Sequence, residues 1–283
     1  MGFKGEKVGP YTLDRKERRS LEGELWKARD SERVPVAVCL YYEPTWIQVL
    51  RTVSVPEGIP EHPNLSRLIT FDLEAHRPWT AWTHVDGRSL REILSHQPYV
   101  PLQEAIPLVL QLVRGLEALH AAEIAHHDLR PETVVVTEPG ELTLTFAQTE
   151  GYRRAVLESV CEPGDRALEE LVAAIRPYAA PEQLSGSISG TAGDVYALGT
   201  LVYEMLCGSR PDAFAPRYPS ERDKRIPKIL DEVILGALER RVRARTQDAV
   251  GLEKQLLQGF SRAGYDVEPV GAPKGWVRST PYR

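Results

Sequence analysis

The residue types that can do chemistry are concentrated in one short stretch, residues 126–133, which read His-His-Asp-Leu-Arg-Pro-Glu-Thr. An aspartate in such a stretch can act as a general base that accepts a proton. The three cysteines offer no comparable group, because they are odd in number and far apart and fit neither a disulfide framework nor a paired metal-ligand spacing. Cys39 lies in an apolar run and is expected to be a buried small hydrophobic residue.

A predicted β-hairpin follows this stretch and must position it. Its strands are expected at 133–136 and 142–146, and Glu-Pro-Gly at 138–140 is a turn signal. Helices are predicted on both sides, because apolar residues recur at helical spacing in 109–120 and 195–205.

The rest of the chain divides into two kinds of pattern. The first eighty residues form short β-favouring runs, of which residues 34–42 are the clearest strand. After them the pattern is helical, with a further helix expected at 230–238. The sequence therefore predicts a small β-rich lobe (1–83), a larger helical lobe (84–262) and a C-terminal extension or linker (263–283).

Composition and charge exclude several classes of protein. Of the 283 residues, 42% are hydrophobic and 27% charged, and 35 Lys and Arg against 40 Asp and Glu give a net charge of -5. A net acidic chain has no excess of cations with which to bind a nucleic-acid backbone, so no nucleic-acid partner is expected. The N-terminus lacks the apolar core of a signal peptide, and the most apolar stretches carry charges, so no membrane span is expected. Together with the isolated cysteines, this predicts a cytoplasmic protein.

Residues 126–133 resemble the catalytic loop H-R-D-L-x-x-x-N of protein kinases, which also lies between a long helix and a short hairpin. Downstream, Ala-Pro-Glu at 180–182 matches A-P-E, and residues 194–199 resemble the family's D-x-Y-x-L-G. Upstream, residues 62–64 and 86–90 resemble H-P-N and G-x-S-L. The resemblance covers roughly residues 10–260 and is closest to bacterial Ser/Thr kinases. It implies an α+β fold of two lobes, the protein kinase-like fold.

Compared with this family, the residues that handle phosphate are degenerate. At the glycine-rich loop only Gly23 remains, and Arg18 and Ser20 stand where glycines would let the backbone approach phosphates. Cys39 replaces the lysine of V-A-I-K and cannot neutralise phosphate charge. The glutamate that pairs with this lysine has no clear counterpart, since the short helix predicted at 45–53 contains no acid.

The metal ligands of the family are replaced as well. Thr133 stands at the asparagine of the catalytic loop and Phe146 at the aspartate of D-F-G, so neither Mg²⁺ ligand is retained. Trp82 falls near the position that gates the back of the adenine site and is expected to narrow it. Asp128 matches the catalytic base, but its position is expected to be vestigial without the cations.

The residues that hold the family fold together are retained. The resemblance implies a structural ion pair between Glu182 and an arginine late in the helical lobe, for which Arg245 is the expected partner. It also implies that Asp194 anchors the backbone of the catalytic loop. For residues 150–177, at the activation-loop position, a helix packed on the mouth of the active site and a mobile loop remain equal alternatives.

The pattern of loss and retention predicts a pseudokinase, a non-enzymatic binding, scaffold or allosteric module in bacterial signalling. It is expected to bind a protein partner and to bind ATP and Mg²⁺ weakly or not at all. One alternative is a divergent Ser/Thr kinase or nucleotide-dependent transferase with residual activity, supported by Asp128 and by kinases that also carry cysteine in place of the lysine. Another alternative is a nucleotide sensor that needs no metal.

Overall fold

The computed structural model describes residues 1–19, 23–41, 58–138, 140–146, 173, 175–187, 189–265 and 267. Within them, the N-terminal lobe is an antiparallel sheet with the spatial order β1-β2-β3-β4-β6-β5. Its strands are β1 (Lys7–Val8), β2 (Tyr11–Arg19), β3 (Gly23–Arg29), β4 (Pro35–Tyr41), β5 (Leu68–Asp72) and β6 (Trp79–Thr83).

Strand β4 shows how the sequence sets the two faces of this sheet. Val36, Val38 and Leu40 alternate along it and are buried in the core of the lobe. Because successive side chains of a strand point to opposite faces, Ala37 and Cys39 lie on the other face. That face borders the cleft between the lobes, since both residues line its cavities.

The C-terminal lobe is mainly helical. Its helices are α1 (Leu90–His96), α2 (Leu102–Ala121), α3 (Pro181–Leu184), α4 (Gly190–Cys207), α5 (Pro219–Arg222), α6 (Ile229–Ala237) and α7 (Ala249–Arg262). A small antiparallel sheet joins them, with strands β7 (Arg88–Ser89), β8 (Val134–Val136) and β9 (Leu142–Leu144) in that order. In the described part of the chain, no helix is both long enough and apolar enough to cross a lipid bilayer.

The core of this lobe lies where the helical periodicity predicts it. The periodic apolar residues of α2, α4 and α6 belong to one buried cluster, except that Val233 of α6 is half-buried and packs against it. Those of α2 and α4 are at most 4% exposed, as expected for faces packed between helices. The α+β arrangement of a β-rich lobe followed by a larger helical lobe is therefore confirmed.

Residues 64–66 link the two lobes through hydrogen bonds. The backbone N–H of Leu144 donates to the Asn64 carbonyl at 2.8 Å, and the N–H of Ser66 donates to the Leu144 carbonyl at 2.8 Å. The Asn64 side chain, buried with its residue only 8% exposed, donates to the Leu142 carbonyl at 2.6 Å. These residues precede β5 in the chain, yet they hydrogen-bond to the small sheet of the helical lobe.

Three predictions fall on residues outside the described ones. The short helix expected at 45–53 lies there, as do most of residues 150–177 and most of the extension from residue 263 onward.

Candidate functional site: the cleft between the lobes

Asp194, in α4, holds the stretch that resembles the kinase catalytic loop. Its carboxylate accepts hydrogen bonds from the backbone N–H groups of His126 and His127 at 2.6 and 2.9 Å. The ring of His120 lies 3.0 Å from the same carboxylate. Burial raises the pKa of Asp194, but the hydrogen bond to His120 and the charges of the neighbouring histidines outweigh it and lower the pKa to about 2. Asp194 thus stays ionised and fixes the loop, as the resemblance implies.

Asp128 is held in an ion pair within its own loop. The residue is only 3% exposed, and Arg130 Nε lies 3.0 and 3.2 Å from its two carboxylate oxygens. Arg130 is itself 6% exposed, so the ion pair is buried. The sequence analysis did not predict this pair, for which the only signal is an arginine two residues after the aspartate.

The Thr133 hydroxyl is used within the loop itself. It lies 2.7 Å from the Asp128 carbonyl and 3.0 Å from the Arg130 carbonyl, with geometry for donation to either. It also accepts from the Arg130 backbone N–H at 3.2 Å. With the residue 1% exposed, Thr133 closes the catalytic loop in the place where the family has a metal-binding asparagine.

Phe146, at the position of the metal-binding aspartate, fills the back of the cleft with its ring. Its φ of 60° lies in the left-handed region, which costs an L-residue about 1–2 kcal/mol. The ring packs edge-on against Trp82, with centroids 5.6 Å apart and planes at 87°. Trp82 is 2% exposed and Phe146 is half-buried, so the pair forms an aromatic wall where narrowing is expected.

Arg18 spans the cleft from β2. Its Nη1 donates to the Glu132 carbonyl of the catalytic loop at 2.7 Å. Arg18 and Phe146 line two separate cavities of the cleft. The outer one, of about 270 Å³, also touches Ala37 and Val135, whereas the inner one, beside Cys39 and Asp128, holds only about 30 Å³.

Gly23 is required by strand packing. A Cβ atom on Gly23 would lie 2.0 Å from the Leu40 carbonyl oxygen of β4, so only glycine permits this approach of β3 to β4. Cys39 lies opposite Leu25 and Thr80 in the sheet and is half-buried. Ser20, the other residue at a glycine position, lies outside the described residues.

A second set of charged side chains lies beside the cleft, and the sequence did not reveal it. Arg91 of α1 donates to Glu132 at 2.8 Å, to Glu204 at 3.0 Å and to the Tyr178 hydroxyl at 2.7 Å. The Tyr178 hydroxyl in turn donates to Glu204. Burial raises the pKa of Tyr178, and the negative charge of Glu204 raises it further, so the hydroxyl keeps its proton.

The Glu182–Arg245 pair is present. Arg245 Nη1 and Nη2 lie 2.6 and 2.9 Å from the two carboxylate oxygens, a bidentate arrangement. The side chain of Arg245 is 0% exposed and also donates to the Ala192 carbonyl at 2.8 Å. The pair therefore ties α3 to the last part of the helical lobe and to the start of α4.

A metal site needs several His, Cys, Asp or Glu side chains close together. Among the described residues, no group of three or more His, Cys, Asp or Glu side chains has a geometry that could hold a metal ion.

Comparison with known proteins agrees with this architecture. Residues 43–257 match the family model of the protein kinase domain. The chain is similar to the serine/threonine-protein kinase PknA of Mycobacterium tuberculosis, 28% identical over 217 residues, and to pkn2 of Myxococcus xanthus, 28% identical over 232 residues. These alignments cover 72% and 75% of this chain but 48% and 27% of the two relatives, so the chain spans about half or less of their length.

The fold is also that of a solved kinase. The crystal structure of a mutant of the Mycobacterium tuberculosis PknI kinase domain superposes with a TM-score of 0.71 at 19% identity, covering 92% of this chain and 99% of that one. With the family-model match over most of its length, the chain belongs to the protein kinase family, as a kinase-like domain of the bacterial serine/threonine type.

Proposed function

We propose that this kinase-like domain is catalytically inactive and acts as a binding, scaffold or allosteric module in bacterial signalling. The observation that carries the proposal is the filling of the inner cleft by the chain's own side chains. The cavity beside Cys39 and Asp128 holds about 30 Å³, room for roughly two water molecules and not for a triphosphate. Arg18, hydrogen-bonded to the Glu132 carbonyl, and Phe146 line it.

The chemistry of the lining residues supports the same proposal. Phosphoryl transfer is largely positioning and charge neutralisation by cations and bound metal ions. Cys39 brings no positive charge to the cleft, the Thr133 hydroxyl is engaged within the loop, and Phe146 has no metal-binding atom. The site therefore does not fit ATP with Mg²⁺, and no phosphoryl-transfer step is assigned to it.

A phosphotransfer assay tests this proposal directly. With labelled ATP, Mg²⁺ or Mn²⁺, and generic protein substrates, the chain should transfer no more label than its Asp128→Asn variant. Millimolar ATP with Mg²⁺ should raise the melting midpoint by less than about 1 °C. If the Kd for ATP is millimolar or weaker, this concentration stabilises the folded state by at most about 0.4 kcal/mol. Label transfer that disappears in Asp128→Asn would refute the proposal.

The outer cavity supports a second candidate, a sensor that binds a nucleoside without metal or phosphate. It offers about 270 Å³ between apolar Leu25 and Ala37 on one side and Val135 on the other, and it reaches the connecting residues 83–87. Adenosine should then raise the melting midpoint without metal, whereas ATP should not. If neither compound changes the midpoint, only the scaffold proposal remains.

A further inference from the structure

An exposed aromatic side chain lies on the helical lobe in the loop between α4 and α5. Phe214 is 81% exposed, which makes it the most exposed large hydrophobic residue of those described. Arg240, from the turn after α6, covers one face of the ring, with its Cζ 4.7 Å from the centroid. Arg240 Nη1 also donates to the Ala213 carbonyl at 2.7 Å, which joins the loop and the turn into one surface.

This part of the chain is positively charged although the whole chain is negative. Residues 205–246 contain ten Lys and Arg and six Asp and Glu, whereas the whole chain has a net charge of -5. Arg217, Arg222 and Arg240 are exposed, and among the described residues none of them forms an ion pair with a carboxylate. Tyr218, 50% exposed, adds a second ring to the same loop.

We propose that Phe214, Arg217, Tyr218 and Arg240, called here the arginine–phenylalanine surface, dock an acidic protein segment that carries an apolar side chain. The uncovered face of Phe214 takes the apolar side chain, since burial of an exposed aromatic ring favours association. The guanidinium groups take carboxylates, with which arginine forms bidentate hydrogen bonds. Aromatic residues and arginine are also the types that dominate the energy of protein interfaces.

The charge pattern favours a protein segment over a continuous polyanion. Asp212, Glu221 and Asp223 lie between the basic residues of the same stretch. A nucleic acid or an anionic membrane presents negative charge everywhere and would meet these carboxylates, whereas a peptide can place its own charges individually. The arginine–phenylalanine surface shares no residue with the cleft, so the proposal is independent of whether the cleft is catalytic.

Selection from a random 12-residue peptide library tests the proposal with the full chain as target. The library is first depleted on the Phe214→Ala/Arg240→Glu variant and then selected on the unmodified chain. Surviving peptides should be net acidic and carry at least one apolar side chain. In fluorescence anisotropy, Phe214→Ala should weaken their binding at least tenfold, and Arg240→Glu should weaken it more.

Val250→Ala is the matched control, because Val250 is 63% exposed on α7 and lies outside the proposed surface. The Val250→Ala variant should bind the selected peptides with the same affinity as the unmodified chain. The Phe214→Ala melting midpoint should also stay within about 1 °C, since an exposed ring contributes little to folding. The proposal is overturned if no peptide survives depletion or if the surviving peptides have no acidic bias. It is also overturned if Phe214→Ala binds the peptides as tightly as the unmodified chain. Tighter binding of an oligonucleotide or of phosphatidylglycerol vesicles to the same four residues would overturn it too.

Discussion

At the scale of single residues, the positions that this chain shares with kinases are held by buried charge pairs. Glu182 meets Arg245, Asp128 meets Arg130, and Asp194 meets the loop backbone and His120. A buried ion pair is weak evidence of net stabilisation, but the loss of one partner leaves an uncompensated charge. Each of these residues can therefore matter for folding whether or not it takes part in chemistry.

Glu182→Ala should lower the free energy of unfolding by about 3–5 kcal/mol, because it leaves the fully buried Arg245 guanidinium without its counterion. Denaturant midpoints of purified variants measure the loss. Glu61→Ala is the control, since the Glu61–Arg67 pair is 81% and 54% exposed at its side chains and should contribute at most about 1 kcal/mol. A silent Glu182→Ala would show that the pair does not support the fold.

Asp128→Ala is expected to cost about as much as Glu182→Ala, because Arg130 would stay buried without its carboxylate. An Asp128 side chain with no structural role would cost little when removed, so the measurement separates the two interpretations. Asp128→Ala combined with Arg130→Met should recover part of the loss, since the double variant buries no unpaired charge. If Asp128→Ala is mild, the ion pair does not hold the loop.

Asp194 should make stability depend on acid pH. Because the folded state lowers the pKa of Asp194 from 3.8 to about 2, its contribution is complete above pH 4 and is lost as the pH falls through 2. This difference in pKa between the folded and unfolded states corresponds to about 2 kcal/mol in the free energy of unfolding. Asp194→Asn should be less stable at pH 7 and should lack this part of the decline between pH 4 and 2. Urea unfolding at fixed pH values measures both, and parallel decline of the two proteins would contradict the assignment.

At the scale of elements, strand β2 closes the cleft at two points. Glu17 lies 3.0 Å from the His84 ring in the connection between the lobes, and Arg18, next to it, donates to the Glu132 carbonyl. The pairing of β2 with β3 is irregular between Lys16 and Arg18, and both Glu17 and Arg18 line the outer cavity of the cleft. The strand therefore fastens the small lobe to the large one through side chains.

Arg18→Ala should loosen this closure. Amide hydrogen exchange should become faster in β2 and in residues 130–133, because the hydrogen bond to the Glu132 carbonyl is lost. Arg29→Ala is the control, since Arg29 is 48% exposed and pairs with Asp14 at the other end of the same strands. Exchange that rises equally in both variants would show that Arg18 does not close the cleft.

The sequence predicts the elements better than it predicts the contacts between them. Helices α2 and α4 follow from periodicity, and Glu182 and Asp194 from motifs whose partners the family fixes. The contacts of Arg91 could not be read in this way, because Glu132, Tyr178 and Glu204 lie 41, 87 and 113 residues away along the chain. They meet because α1 packs against residues 131–133 and because the turn at 176–178 packs against α4.

At the scale of the whole molecule, Asn64 couples the two lobes. Its side chain donates to the Leu142 carbonyl at 2.6 Å and to Gln111 at 3.2 Å, and its carbonyl accepts from Leu144. Gly115 permits this contact, since a Cβ there would lie 3.0 Å from the Asn64 carbonyl oxygen. A buried side chain that bonds to a strand and a helix of the other lobe makes the sheet of the small lobe dependent on the folded large lobe.

Asn64→Ala should therefore weaken the coupling as well as the stability. Losing the buried amide leaves the Leu142 carbonyl and Gln111 short of a donor, a loss of about 1–3 kcal/mol. Calorimetry should show one cooperative transition for the unmodified chain and a separate, earlier transition of the small lobe in Asn64→Ala. Asn64→Leu, which keeps the shape and loses the donors, should behave like Asn64→Ala. If both variants melt in one transition with an unchanged midpoint, the lobes are coupled elsewhere, and the closure by β2 becomes the contact to test.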